Sequence, residues 1–140
     1  MTAKTSRTLA ITIMVFMTLF TKVNAQDTIV KLINSEFTME VHRDSAGVSV
    51  AVYLTTPANY SSIVIEKGQW SDGEFRQCAD IDMKTQNANG GIITMKDNYP
   101  LNPFYDVYYR IKGTGIDGNE KIFPPLLLPA KTMPVPKFHL

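Results

Sequence analysis

The chain is poor in the residues that most protein chemistry needs. It holds one cysteine, Cys78, and two widely separated histidines, His42 and His139, among 140 residues. One cysteine excludes an internal disulfide and an all-cysteine metal site, and the histidine spacing does not suggest a zinc site. An excess of one charge is also missing. The 14 basic residues meet 13 acidic ones, so the clustered basic face of a nucleic-acid binder is absent and no nucleic-acid partner is expected. No apolar run reaches the roughly 20 residues of a membrane-spanning helix. No window carries a convincing helical period, and no repeat or low-complexity linker is visible. Gly90-Gly91 precedes a strand-like run and lacks the lysine of a phosphate-binding loop. Length and a 44% hydrophobic content point to one compact domain.

What is present starts with an export signal. Lys4 and Arg7 form a positive start, Leu9 to Phe20 forms a short apolar run, and Val23-Asn24-Ala25 supplies a small residue at a cleavage position. Residues 1–25 therefore read as a signal peptide, and the expected location is secreted, periplasmic or at the cell surface. No cysteine follows the apolar run to carry a lipid. Cleavage removes Lys4, Arg7 and Lys22, leaving 11 basic residues against 13 acidic ones. A chain of that balance has little attraction for anionic membranes, and no stable membrane insertion is expected after cleavage.

The remaining chain alternates with a period of two. Val48, Val50, Val52 and Leu54 alternate with Ser49, Ala51 and Tyr53. Ile63 and Ile65 alternate with Val64 and Glu66. Val107, Tyr109 and Ile111 alternate with Tyr108, Arg110 and Lys112. Phe75 to Met83, Ile92 to Met95 and Lys121 to Leu128 give three further strands, and Thr28 to Ile33 with Glu36 to Val41 gives one broken strand or two short ones. Ser71-Asp72-Gly73, Asn87 to Gly91 and Asp117-Gly118-Asn119 supply turn chemistry between them. The expected fold is an all-β antiparallel sandwich of about seven strands over residues 26–128. Residues 129–140, with Pro129, Pro134 and Pro136, read as an extended tail.

Three stretches carry a resemblance to a known family. They are Ile63 to Gly68 with Ser71 to Phe75, Pro100-Leu101-Asn102 with Val107 to Lys112, and the turn at Asp117 to Glu120. With the Val48 to Leu54 strand, they make residues 35–128 resemble a fibronectin type III-like domain, an immunoglobulin-like sandwich common in secreted bacterial surface proteins. The resemblance implies adhesion, spacing or presentation of partners, with no characteristic active site. It casts Tyr109 as a buried corner tyrosine whose hydroxyl bonds nearby backbone. The second-strand tryptophan often seen in that family is absent, and the lone Trp70 falls in a turn.

Residues able to carry chemistry are few. Asp80 and Asp82 flank Ile81 and share a strand face, but calcium needs six or more oxygens, and no glycine-bearing acidic loop accompanies them. Cys78 lacks a base at any telling spacing and reads as a small hydrophobe, or, if exposed after export, as a thiol for a disulfide between chains. No catalytic residue, metal or cofactor is expected. Phe75, Phe104 and Tyr105 suit the ends of a sandwich, whereas Trp70 and Tyr108 fall where a core does not claim them. Ile122 to Leu128 is apolar on both faces and broken by Pro124 and Pro125, which places it on a sheet edge. The expected contact surface is Trp70, Tyr108, Leu126, Leu127 and Leu128. The expected function is an exported, non-catalytic binding or assembly module for a protein or glycan partner at the cell envelope or outside the cell. The alternatives are a small secreted hydrolase or metal-dependent enzyme drawing on His42, Cys78, Asp80 and Asp82, or a strand-exchanging structural subunit.

Overall fold

The computed structural model describes residues 19–22, 27–86 and 90–132. The positive start of the chain, most of its apolar run, the Ala25 cleavage position and residues 133–140 of the tail lie outside the described residues.

Ten strands are present among the described residues: β1 (Leu19–Lys22), β2 (Thr28–Ile33), β3 (Phe37–Asp44), β4 (Gly47–Leu54), β5 (Tyr60–Gly68), β6 (Phe75–Asp82), β7 (Ile92–Asp97), β8 (Val107–Gly115), β9 (Glu120–Ile122) and β10 (Leu126–Leu128). A single helical turn, α1 (Met83–Gln86), follows β6. The strands form two antiparallel sheets. The first runs β1-β2-β3-β4-β7 and the second β10-β8-β5-β6, with β9 also paired to β8. The all-β sandwich expected from alternation is the observed fold.

The count exceeds seven because two apolar stretches are each split in two and because β1, in the stretch read as a signal peptide, pairs with β2. The Asn34 carboxamide oxygen accepts the backbone N–H groups of Glu36 and Phe37 at 2.8 and 2.9 Å. This turn breaks the early apolar stretch into β2 and β3. The last strand is interrupted because Pro124 and Pro125 offer no N–H to the ladder. Its two halves pair with different stretches of β8, β9 with Lys112–Thr114 and β10 with Val107–Tyr109. In the gap Phe123 turns inward and meets Phe37 of the first sheet edge to face, with ring centroids 4.8 Å apart.

Register sets which side chains face inward. Cross-strand partners share a face, so Phe37–Leu54, Met39–Val52–Ile93 and Val30–Val41–Val50–Met95 form inner rows of the first sheet. Ile63, Ile65, Val107, Tyr109 and Ile111 answer from the second sheet. Leu126 and Leu128 are fully buried beside Tyr109 and Val107. Asp117-Gly118 forms the turn between β8 and β9. Only Gly118 takes a positive φ, of 85°. Asp117 serves otherwise, its carboxylate accepting the Asn119 N–H at 3.0 Å. That bond and a second from the Asn119 side chain hold the Asp117 carboxyl below its ordinary range.

Pro129 to Lys131 do not leave the domain. The buried Arg43 guanidinium donates to the Pro129 carbonyl at 2.7 Å, Ala130 N–H donates to Asp106 at 2.8 Å, and Lys131 N–H donates to the Pro103 carbonyl at 2.7 Å.

The Phe37–Phe123 contact ties the first sheet to the break in the last strand. Phe37→Ala is expected to cost about 3–5 kcal/mol in urea-induced unfolding, the cost of an unfilled cavity between the sheets. A loss under about 1 kcal/mol would mean the core closes over the missing ring.

Candidate binding cleft

The two sheets each end on one side in an edge strand, β6 in the second and β7 in the first. Here an open cleft of about 770 Å³ is lined by residues of the β5–β6 region, Lys67 to Cys78, and by Lys96 to Leu101 at the end of β7 and after it. Its volume falls in the range of small-molecule sites.

The floor is polar and fully committed. Asp97 ends β7 on an inward position, in a cross-strand row with Val48 and Arg43. Facing it, Lys67 of β5 lies between Arg76 of β6 and Tyr109 of β8 on the inner face of the second sheet. Lys67 Nζ donates to both Asp97 carboxylate oxygens at 2.9 Å and to the Tyr99 carbonyl. The Tyr109 hydroxyl donates to Asp97 Oδ2 at 2.7 Å, and the Tyr99 N–H donates to Asp97 Oδ1 at 3.0 Å. The Lys67 and Asp97 side chains keep only 12% and 4% of their surface exposed. One carboxylate thus joins both sheets and the loop after β7. Tyr109 is buried, as the sequence implies, but its hydroxyl bonds a side-chain carboxylate and not backbone. The carboxylate that β7 brings from the facing sheet is a stronger acceptor than a backbone carbonyl. Burial first, then that hydrogen bond, push the Tyr109 phenol well above its ordinary value. The buried Arg43 guanidinium has its pKa lowered by desolvation, opposed by Tyr109 and Asp106.

A β-bulge shapes the β6 wall. Pairing with β5 steps from Ile65–Ala79 to Glu66–Gln77, so Cys78 is an extra residue in β6. The bulge reverses the inward alternation, and Arg76 rather than Gln77 becomes the partner of Lys67. Cys78 lines the cleft half-buried. Burial is the main cause that pushes its thiol up to about 11, with Asp97 adding and Lys67 opposing.

The rim is aromatic. Trp70, in the turn between β5 and β6, is 65% exposed, and Tyr99, in the loop after β7, is 85% exposed. A Cβ placed on Gly73 would lie 3.1–3.5 Å from Trp70 side-chain carbons, so a glycine there leaves the space that the Trp70 side chain needs. Gln69, Gln77 and Asn98 complete the polar lining, and Leu101 is the one aliphatic side chain in it.

The other expected contact residues do not join this site. Leu126 and Leu128 are core residues with no exposed surface, a correction to their expected place on a partner surface. Their apolar run reads the same in sequence whether its alternate side chains face a core or a partner. Leu127 pairs with Tyr108 in register, and both are half-buried. Sequence reasoning found Trp70 and missed Tyr99 and Arg76. Tyr99 beside Asn98 and Pro100 reads as a corner, and Arg76 faces the cleft only because of the bulge. The residues of the enzymatic alternative do not converge. His42 on β3 lies 4.0 Å from Asp44, Asp82 caps α1 through Lys84 N–H at 2.9 Å, and Asp80 is exposed on β6. Among the described residues no group of three histidine, cysteine or acidic side chains is placed to hold a metal ion. Comparison with known proteins finds no matching family model, curated protein or solved structure.

The Tyr109 proton gives a pH-dependent prediction. A free tyrosine ionises near pH 10, whereas folded Tyr109 holds its proton higher, so unfolding releases a proton above pH 10 and stability falls as pH rises from there. Tyr109→Phe is expected to lose about 2 kcal/mol at neutral pH, where a bond to a charged acceptor is deleted. It is also expected to unfold with a shallower stability loss between pH 10 and 12. Chemical denaturation across pH checks both, and a parallel pH slope in the two proteins would contradict the burial of that proton.

Proposed function

We propose that the chain is an exported, non-catalytic binding module that presents the β6–β7 cleft to a protein or glycan partner at the cell envelope or outside the cell. The observation that carries this reading is the pairing of exposed aromatic faces, Trp70 and Tyr99, with a floor whose charges are already satisfied. Such a site offers stacking and hydrogen bonding at its rim. Its floor offers no free base, because Asp97 is held by Lys67, Tyr109 and the Tyr99 N–H. A Cys78 thiol pushed up to about 11 is un-ionised at neutral pH and a poor nucleophile.

The resemblance to a fibronectin type III-like module draws support from strand order. One sheet carries β3-β4-β7, the other β6-β5-β8 followed by the interrupted last strand. Export draws support from Lys4, Arg7, the Leu9 to Phe20 run and Ala25. Among the described residues no helix is long and apolar enough to cross a membrane. Cleavage after Ala25 would remove β1 and leave β2 as the edge of the first sheet.

The test is retention of envelope material on the immobilised mature chain, fractionated into protein and polysaccharide. A component held by the wild type is expected to be lost with Trp70→Ala and with Tyr99→Ala, and kept with Tyr108→Ala. Equal retention by all four proteins would overturn the assignment of the cleft.

A further inference from the structure

We infer that the cleft takes an acidic glycan, a sugar chain bearing carboxylate or sulfate groups, with its anionic group at Arg76 and its sugar faces on Trp70 and Tyr99. This rests on the reading of the cleft as a binding site and goes further by naming the ligand's chemistry.

The charge balance of the cleft comes first. Two cations, Lys67 and Arg76, stand against two carboxylates, Asp97 and Glu74, while Lys96 borders the cleft but alternates with inward Asp97 on β7 and runs toward Gly47. Asp97 is spent on Lys67, which meets both of its oxygens at 2.9 Å. Arg76 and Lys96 are exposed, and among the described residues neither has an ion-pair partner. Arg76 also stands directly across the strand pair from Lys67. The bulge at Cys78 creates this pairing, and because Asp97 is taken by Lys67, Arg76 is left without a carboxylate. An anion seated at Arg76 would gain the forked, charge-assisted bonds that a guanidinium gives to carboxylate or sulfate.

The rest of the lining selects a sugar over a polypeptide. A protein interface buries its aromatic and arginine anchors in a well-packed, desolvated patch. Here Trp70 and Tyr99 stand exposed on an open rim, Leu101 is the lone aliphatic residue, and Gln69, Gln77 and Asn98 are among the lining residues. Each amide offers donors and an acceptor side by side, which suits neighbouring sugar hydroxyls. Trp70 is 65% exposed at the rim, where the missing side chain of Gly73 leaves room for it.

Trp70 is the single tryptophan of the chain, so its emission reports on this cleft alone. The experiment titrates the protein with a short oligogalacturonate, a neutral maltooligosaccharide of equal length and an oligoglutamate, following emission and calorimetric heat. Saturable binding of the oligogalacturonate is expected, at least about tenfold tighter than the neutral sugar, weakening with salt as surface charge interactions do. Arg76→Gln is expected to weaken it about tenfold or more, the loss of a charge-assisted bond, and Arg76→Lys to weaken it less. A circular dichroism melt of each variant separates lost binding from lost folding. Neutral sugar binding as tightly as acidic, or Arg76→Gln binding as well as wild type, would overturn the anionic site while leaving the cleft as a binding surface. Oligoglutamate binding tightest would overturn the glycan in favour of an acidic peptide. Silence towards all three probes would also overturn the inference. Failure of the cleft itself is read separately, from envelope retention that ignores Trp70 and Tyr99.

Discussion

The Asp97 carboxylate is the point at which the two sheets are fastened on their open side. It arises from the first sheet, receives Lys67 and Tyr109 from the second, and takes the N–H of Tyr99 from the loop that forms the cleft rim. Such a group is expensive to bury alone and tolerable only when its lone pairs are filled. Here several donors converge on it. The geometry of the cleft follows. Tyr99 is held at the rim through its backbone, Lys67 is spent on Asp97, and Arg76 on the β6 wall has no ion-pair partner among the described residues.

Much of the sandwich was legible in the sequence because alternation is a local signal. Val48, Val50, Val52 and Leu54 face inward as their spacing predicts, and Tyr109 is buried where the Val107–Ile111 pattern places it. The break of the early strand was open in the sequence, and the Asn34 turn decides it. The position of Leu126 and Leu128 was not legible. An apolar run with two prolines belongs on an edge in either reading, and only pairing with Val107 and Tyr109 tells which of its side chains turn inward.

The cleft shows the same division. Trp70 stood out as a large aromatic in a turn. Arg76 did not, because its inward direction depends on a one-residue register shift that an irregular β6 pattern conceals. Tyr99 did not, because it meets β6 across a gap between two sheets. Asp97 was invisible for the same reason, since nothing in its neighbourhood announces partners at Lys67 and Tyr109. Sites assembled from two sheet edges depend on tertiary geometry, which period-two patterns do not encode.

The most direct test of the fastening is a double-mutant cycle on Asp97 and Lys67, followed by urea unfolding. Asp97→Asn and Lys67→Met are each expected to cost about 3 kcal/mol, since each leaves a buried partner unpaired. The double variant is expected to cost much less than their sum, because no buried charge then lacks its counterpart. Additive losses, or single losses below about 0.5 kcal/mol, would contradict the claim that this ion pair holds the sheets together.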